Sequence, residues 1–263
     1  MVLMMIYDPL FDIKGRVIVL TGACGLIGRR LAESFHERGA KLVLVDLAGA
    51  RPGGFKENKA GIIELSCDVS RSEEVKELVK TVLNQFERVD VLVNSHHYKP
   101  GGFTSAQAET FPEELWDAII DVNMKGTFLT CRDFGRTMLE QGKGNIINIA
   151  STYGVVSSNP DLYQGNSLGN PLAYSASKGG VIMLTKYLGT HWAGRGVRVN
   201  CVTPHGVWNN QEPAFVERFC EKSPMKRLMT ADEVVGAVLF LASDASSYAT
   251  GSNVLIEGGW TAW

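Results

Sequence analysis

An open, doubly wound α/β fold is what this sequence predicts, and three observations carry the prediction. Short β-branched apolar runs alternate with helix-patterned segments along the whole chain. A glycine-rich turn joins the first run to the first helix, and an acidic residue closes the second run. No stretch between these segments has the Pro-, Gly- or Ser-rich composition of a linker. The chain therefore reads as a single domain over 1–263, an α/β domain with a parallel sheet of about seven strands and helices on both faces.

The first run, 16–21, lies between Gly15 and Gly22 and reads as a buried strand. It continues through Thr21-Gly-Ala-Cys-Gly-Leu-Ile-Gly28 into a helix over 29–37. Glycines there let the backbone approach a pyrophosphate while the helix N-terminus points at it. The second strand, 41–46, ends at Asp46, 18 positions after Gly28 (46 minus 28), where a dinucleotide fold places a carboxylate on ribose hydroxyls. Further strands are expected over 61–67, 89–94, 145–150, 197–202 and 253–256. Ser70 and Glu73 have capping-box spacing ahead of a helix with Val75, Leu78, Val79, Val82, Leu83 and Phe86 on one face. Thr110, Pro112 and Glu113 announce a long helix that includes Asn123 and runs to about Gln141. Thr230 and Glu233 cap a late helix.

Bulk properties exclude several classes of function. The chain has 263 residues, is 45% hydrophobic and 21% charged, and carries a formal net charge of -2, which is ordinary for a globular protein. Without a basic cluster there is no reason to expect nucleic acid or an anionic membrane surface as partner. The apolar segment 1–6 is short, lacks basic flanks and is followed by Asp8 and Pro9, so neither a signal peptide nor a membrane span is expected. Five scattered cysteines without a Cys-x-x-Cys point away from disulfides and zinc, towards a reducing cytoplasm and no metal.

Tyr174 and Lys178 stand four apart and so share one helix face. A free tyrosine hydroxyl titrates near pH ~10, and a neighbouring ammonium favours the phenolate, which makes the phenol a usable proton donor and acceptor. Their context comes from an ordered series: Thr21-Gly22 to Gly28, Asp68-Val69, Asn94, Asn123, Ser151, Tyr174 and Lys178, Asn200 to Pro204, Thr250-Gly251, and Glu257-Gly258-Gly259. In that order these residues resemble the classical short-chain dehydrogenase/reductase family over essentially the whole chain. The resemblance implies a Rossmann-type domain that transfers hydride between a carbinol or ketone and a nicotinamide. Tyr174 would be the general acid/base, and Lys178 would lower its pKa and hold the nicotinamide ribose. Ser151 would bind the substrate oxygen, and Asn123 would anchor a water chain carrying the proton to solvent. A carbonyl that gains hydride builds negative charge on oxygen, so hydroxyl donors and a cation suit its transition state.

By the same resemblance the cofactor would lie on Gly22, Cys24, Gly25, Leu26, Ile27 and Gly28, then on Asp46, Asp68, Val69, Asn94 and Ser95. Further along it would meet Tyr174, Lys178, Pro204, Val207 and Asn209. Asp46 followed by Leu47 and Ala48 argues for NAD over NADP, because a 2′-phosphate would face a like charge, although Arg51 follows nearby. Family members are commonly tetramers built on the helices around Asn123 and Lys178, so a homo-oligomer, tetramer or dimer, is expected.

Several positions depart from the family pattern. Leu26 stands where the middle glycine is usual, a spacing similar to the extended branch with its sugar-nucleotide epimerases and dehydratases. The family's Asn-Asn-Ala-Gly is Asn94-Ser95-His96-His97 here, so His96, His97 and His205 replace small residues near the cofactor. His97 or His205 could therefore reach a polar substrate, or both could be loop residues facing solvent or backbone. A fold that kept the cofactor and lost turnover is a further alternative. The largest departure is length: from Ser151 to Tyr174 is 23 positions (174 minus 151), longer than usual, and 152–171 reads as an inserted loop over the substrate pocket. Its Asp161, Tyr163, Gln164, Asn166 and Ser167 suit a polyol, sugar or sugar acid. Tyr163 and Trp208, the latter within a substrate-loop region over 204–229, join His97 and His205 as candidate substrate residues. This loop and the chain's Gly-Gly-Trp-Thr-Ala ending resemble gluconate 5-dehydrogenase-like and flagellin-glycan oxidoreductase members.

Overall fold

The computed structural model describes residues 8–50, 61–98, 108–165, 169 and 172–263. Its sheet has seven strands, all parallel: β1 (Val17–Thr21), β2 (Lys41–Asp46), β3 (Ile62–Ser66), β4 (Val91–Asn94), β5 (Gly144–Ile149), β6 (Val197–Pro204) and β7 (Asn253–Ile256). They lie in the order β3-β2-β1-β4-β5-β6-β7, so the winding reverses between β1 and β4. At such a reversal the connections leave in opposite directions and open a crevice at the strands' C-terminal ends.

Period-two alternation on the strands builds the layers. In β1, Ile18 and Leu20 join Leu42 and Leu44 of β2 in one core, beneath α1 (Leu26–Glu37) and α7 (Asp232–Ala242). Val17 and Val19 join Val43 and Val45 in the other core, beneath α2 (Ser72–Phe86) and α4 (Thr127–Gln141). A buried polar row then crosses the sheet. Thr21 and Asn94 are register partners, as are Asn94 and Asn148. Asn94 Nδ2 donates to Asn148 Oδ1 at 2.9 Å, and Asn148 Nδ2 donates to Thr185 Oγ1 at 2.9 Å on α5 (Leu172–Trp192). Fully buried polar groups of this kind fix one arrangement, because any shift would leave one of them unpaired.

Several boundaries differ from the sequence reading. The first helix starts at Leu26, since the glycine turn closes in fewer residues than its composition suggested. The Ser70/Glu73 capping box does not form. The N-cap is Arg71 without a side-chain bond, and Ser70 instead donates both its N–H and its hydroxyl to Asp68 Oδ1, at 3.0 and 2.7 Å. At the late helix only half a box is made: Glu233 accepts from the Thr230 N–H at 2.8 Å while also holding Arg227. The predicted long helix is interrupted. It runs as α3 (Glu113–Ile120), a π-turn over Asp121–Gly126, and α4, with Pro112 at its N-cap. Asn123 lies inside that π-turn, where a wider winding re-aims the side chains. Asn166, Ser167 and the end of the 152–171 segment lie outside the described residues, as does Arg51. Among the described residues no helix is long and apolar enough to cross a membrane.

Candidate active site

The glycine turn sits at the end of β1. Gly22 has φ +68°, a left-handed backbone that favours glycine, and a Cβ there would lie 2.6 Å from His96 Cα. A Cβ on Gly28 would lie 2.1 Å from the Gly22 carbonyl oxygen. Gly25, at φ −70°, is the N-cap of α1, and no side chain caps that helix. Leu26, the departure from the usual spacing, is exposed. Beside the turn, Asp46 Oδ2 accepts from the Cys24 N–H at 2.8 Å and Oδ1 from the Leu47 N–H at 2.9 Å. Burial and the Asp46 charge push the Cys24 thiol up to about 11, so it is no nucleophile. A cleft of about 300 Å³ opens beyond Asp46, bordered by Leu44, Gly49, Glu64 and Ser66. An uncapped helix N-terminus, two glycines that no side chain could replace and a carboxylate at the β2 end fit a dinucleotide.

Other predicted cofactor residues take different stations. Burial works against the Asp68 carboxylate but is outweighed by the Ser70 bonds and Arg71, which hold it below its ordinary value. Val69 is buried against the π-turn, its Cγ2 2.9 Å from where a Cβ on Gly126 would be. The Asn94 amide is spent in the polar row and on Thr130 Oγ1, which donates to its Oδ1 at 2.9 Å. Ser95 is buried and donates its N–H to the Thr21 carbonyl at 3.1 Å. Pro204 ends β6, and its carbonyl accepts from Thr152 Oγ1 at 3.2 Å. Val207 bridges to Met229, while Asn209 is exposed and donates its N–H to Gln211 Oε1 at 2.7 Å.

Four predicted catalytic residues converge at the C-terminal ends of the central strands. Ser151 follows β5, accepts the Tyr153 N–H at 3.2 Å and hydrogen-bonds to Tyr174. Lys178 is buried, donates to the Ile149 carbonyl at 2.7 Å, and has its Nζ 5.9 Å from the centre of the Tyr174 ring. Asn123 is fully buried, accepts from the Tyr98 N–H at 2.7 Å and donates to Ser177 Oγ at 3.2 Å. Ser177 in turn donates to the Tyr174 carbonyl at 2.7 Å. The electrostatics differ from the expectation that Lys178 draws the tyrosine down. Burial holds the Tyr174 hydroxyl above its ordinary value, with the Ser151 bond opposing. Burial likewise brings Lys178 down to about 8. Desolvation dominates at both groups in this arrangement.

The histidines and the inserted loop sort themselves by packing. His96 is buried and held by Thr21 Oγ1 at 2.7 Å and Thr127 Oγ1 at 3.3 Å, which ties the glycine turn to the π-turn. His97 is exposed. His205 is half-buried. It packs against Trp260 at 4.3 Å, Phe219 at 4.8 Å and Tyr153 at 5.6 Å between centroids, and among the described residues its Nε2 has no partner. Trp208 is half exposed. His36 lies in the last turn of α1, and His191 stacks on Tyr187 at 3.9 Å. Tyr163 closes a short 3-10 turn, Pro160–Tyr163, and its hydroxyl lies 2.7 Å from that of Tyr153. Leu162 is buried with Phe215 and Phe219 of α6 (Pro213–Lys222), so the inserted segment rests on that helix. Tyr153 and Ser177 escaped sequence reasoning. The one visible signal was their spacing from Ser151 and Tyr174; Tyr163 lies in an irregular segment ten residues on from Tyr153, and Asn123 is 54 positions from Ser177.

Residues 22–261 match the family model described as enoyl-(acyl carrier protein) reductase. An NAD-dependent glycerol dehydrogenase of Listeria innocua is 32% identical, with 97% of each chain covered. A D-threitol dehydrogenase of Mycolicibacterium smegmatis is 34% identical, with 95% of each covered. Among solved structures, a short-chain dehydrogenase of Leptospira borgpetersenii with bound NAD+ superimposes with a TM-score of 0.89 at 31% identity, over 98% of this chain and 97% of that one.

Proposed function

Since this chain belongs to the short-chain dehydrogenase/reductase family, we propose that it is an NAD-dependent oxidoreductase interconverting a secondary alcohol and a ketone on a small, polar, carbohydrate-like substrate. The observation that carries this reading is the meeting of Tyr174, Ser151, Lys178 and Asn123 at one end of the sheet, beside the glycine turn. When bound, the nicotinamide supplies the site that gives or takes the hydride. The chain's own groups handle the oxygen and its proton. Ser151 donates to the substrate oxygen, and Tyr174 takes its proton on oxidation or returns it on reduction. Lys178, when protonated, offsets the negative charge that Tyr174 acquires. Asn123, anchored by Tyr98 and Ser177, holds the π-turn side of the site, where it would order a relay to solvent.

Asp46 supports NAD over NADP: its carboxylate is fixed by two backbone N–H groups at the β2 end, where a 2′-phosphate would meet like charge. His97, Tyr163, His205 and Trp208 are the candidate substrate contacts. The five described free thiols accord with a reducing cytoplasm. The test is NADH fluorescence across a panel of polyols, sugars and sugar acids, each run with NAD and NADP. Oxidation of at least one polyol, faster with NAD, is expected. Failure on the whole panel contradicts the function, and a preference for NADP contradicts the cofactor choice.

A further inference from the structure

We propose that the paired hydroxyls of Tyr153 and Tyr163 read a second hydroxyl of the substrate, on the carbon next to the one oxidised, and so favour vicinal diols and polyols. The inference deepens the reading above and rests on it. Tyr153 lies on a 3-10 turn, Thr152–Gly154, that leaves β5 immediately after Ser151. Its N–H donates to Ser151 Oγ, the hydroxyl that pairs with Tyr174. The turn is pressed onto α5: a Cβ on Gly154 would lie 2.6 Å from the Lys178 carbonyl carbon. Tyr153 is thereby fixed one short step from the group that holds the reacting oxygen.

Tyr163 arrives from the inserted segment and meets it at 2.7 Å, hydroxyl to hydroxyl. Tyr153 stands two residues past Ser151, so the pair sits at the strand end that carries the reacting centre. Hydrogen-bond capacity decides what the pair can hold. Two phenols carry two protons, one of which is spent between them. One donor and several lone pairs remain, the complement of an alcohol, which donates once and accepts once. Burial keeps both phenols neutral, so the pair presents no charge to a substrate. The rings that carry the hydroxyls are braced: Tyr153 stands edge-on to His205, and Tyr163 packs against Phe215 at 5.9 Å. Held donors of this kind discriminate strongly against a substrate that lacks the matching hydroxyl.

Butane-2,3-diol and butan-2-ol share one carbon skeleton and differ by the adjacent hydroxyl. Steady-state oxidation of both is measured for the wild type, Tyr153→Phe and Tyr163→Phe, which keep the rings and hence the packing. The wild type should favour the diol in kcat/KM by about tenfold or more. Either variant should lower that preference by about tenfold, chiefly through a raised KM for the diol. Equal losses on both alcohols, or an unchanged preference, would overturn the inference while leaving the dehydrogenase reading intact. Failure of the wild type to oxidise any alcohol would overturn that reading and this inference with it.

Discussion

An imidazole buried without a countercharge stays neutral, and two of this chain's histidines are held in that state by packing. Burial, reinforced by the Lys178 and His97 charges, brings His96 down to about 3, and burial alone brings His205 down to about 4. An exposed histidine in the unfolded chain titrates near pH ~6.5. Both folded values lie below that, so on acidification the unfolded state binds the proton first. The stability each group contributes is complete above about 6.5 and is lost as the pH falls towards its folded value, with a slope of ~1.4 kcal/mol per pH unit. Glu233, held down to about 2 by Arg227 and Thr230, loses its contribution lower in pH. Urea denaturation at pH 7, 5.5 and 4.5 should therefore show falling stability in the wild type. The fall should be shallower in His205→Phe, whose ring suits the surrounding aromatics. Parallel pH profiles for the two proteins would contradict this account. The sequence marked both positions as departures, yet neither fate was legible there. Thr127 and Trp260, which decide them, lie far along the chain and arrive only by folding.

At the scale of elements, the inserted segment and α6 behave as one unit. Leu162, Phe215, Phe219 and Leu228 make a small core apart from those under the sheet, with Tyr163 and Trp260 packed against it. Asp161 adds a bond from Lys222 at 3.4 Å. Leu162→Ala removes buried apolar volume there, and deletions of this size cost ~2–5 kcal/mol where the site cannot collapse. That loss falls on the seat of Tyr163 and not on the glycine turn. The expected outcome is a KM for polyol raised several-fold with dinucleotide affinity unchanged, read by substrate kinetics and cofactor titration. An unchanged KM would detach the segment from substrate binding. The length of the insertion was legible in the sequence, because the spacing from Ser151 to Tyr174 is fixed by covalent connection. Its seat on α6 was not, since apolar residues in an irregular segment carry no period to announce a partner. The π-turn at Asn123 was equally hidden: its residues read as ordinary helix, and only winding distinguishes it.

Across the whole molecule, the alternation of strand and helix patterns was the broadest of the signals that predicted the doubly wound sheet, and the strands fall within a residue or two of their expected bounds. The strands β1 and β4 are buried on both faces and β2 nearly so, which makes their apolar runs close to continuous and easy to read, whereas the edge strands β3 and β7 are partly exposed. Beyond the single chain, Phe128 on α4 with Met183 and Tyr187 on α5 present large apolar surface, 43%, 63% and 58% exposed. Such a face on adjacent helices accords with the homo-oligomer that the family resemblance implies. Light scattering should give the mass of a dimer or tetramer, with Met183→Glu shifting it downward, and a monomeric wild type would contradict the proposal.

The central claim is that Tyr174 exchanges the proton of the reacting oxygen, and Tyr174→Phe tests it most directly. The ring is kept and the hydroxyl removed, so the turn on Ser151 and the site of Lys178 should persist. Turnover of the best polyol with NAD should fall by ~10²–10⁴-fold while NAD affinity stays within about twofold, as expected for loss of a positioned general acid/base. Turnover of Tyr174→Phe indistinguishable from wild type would contradict the account.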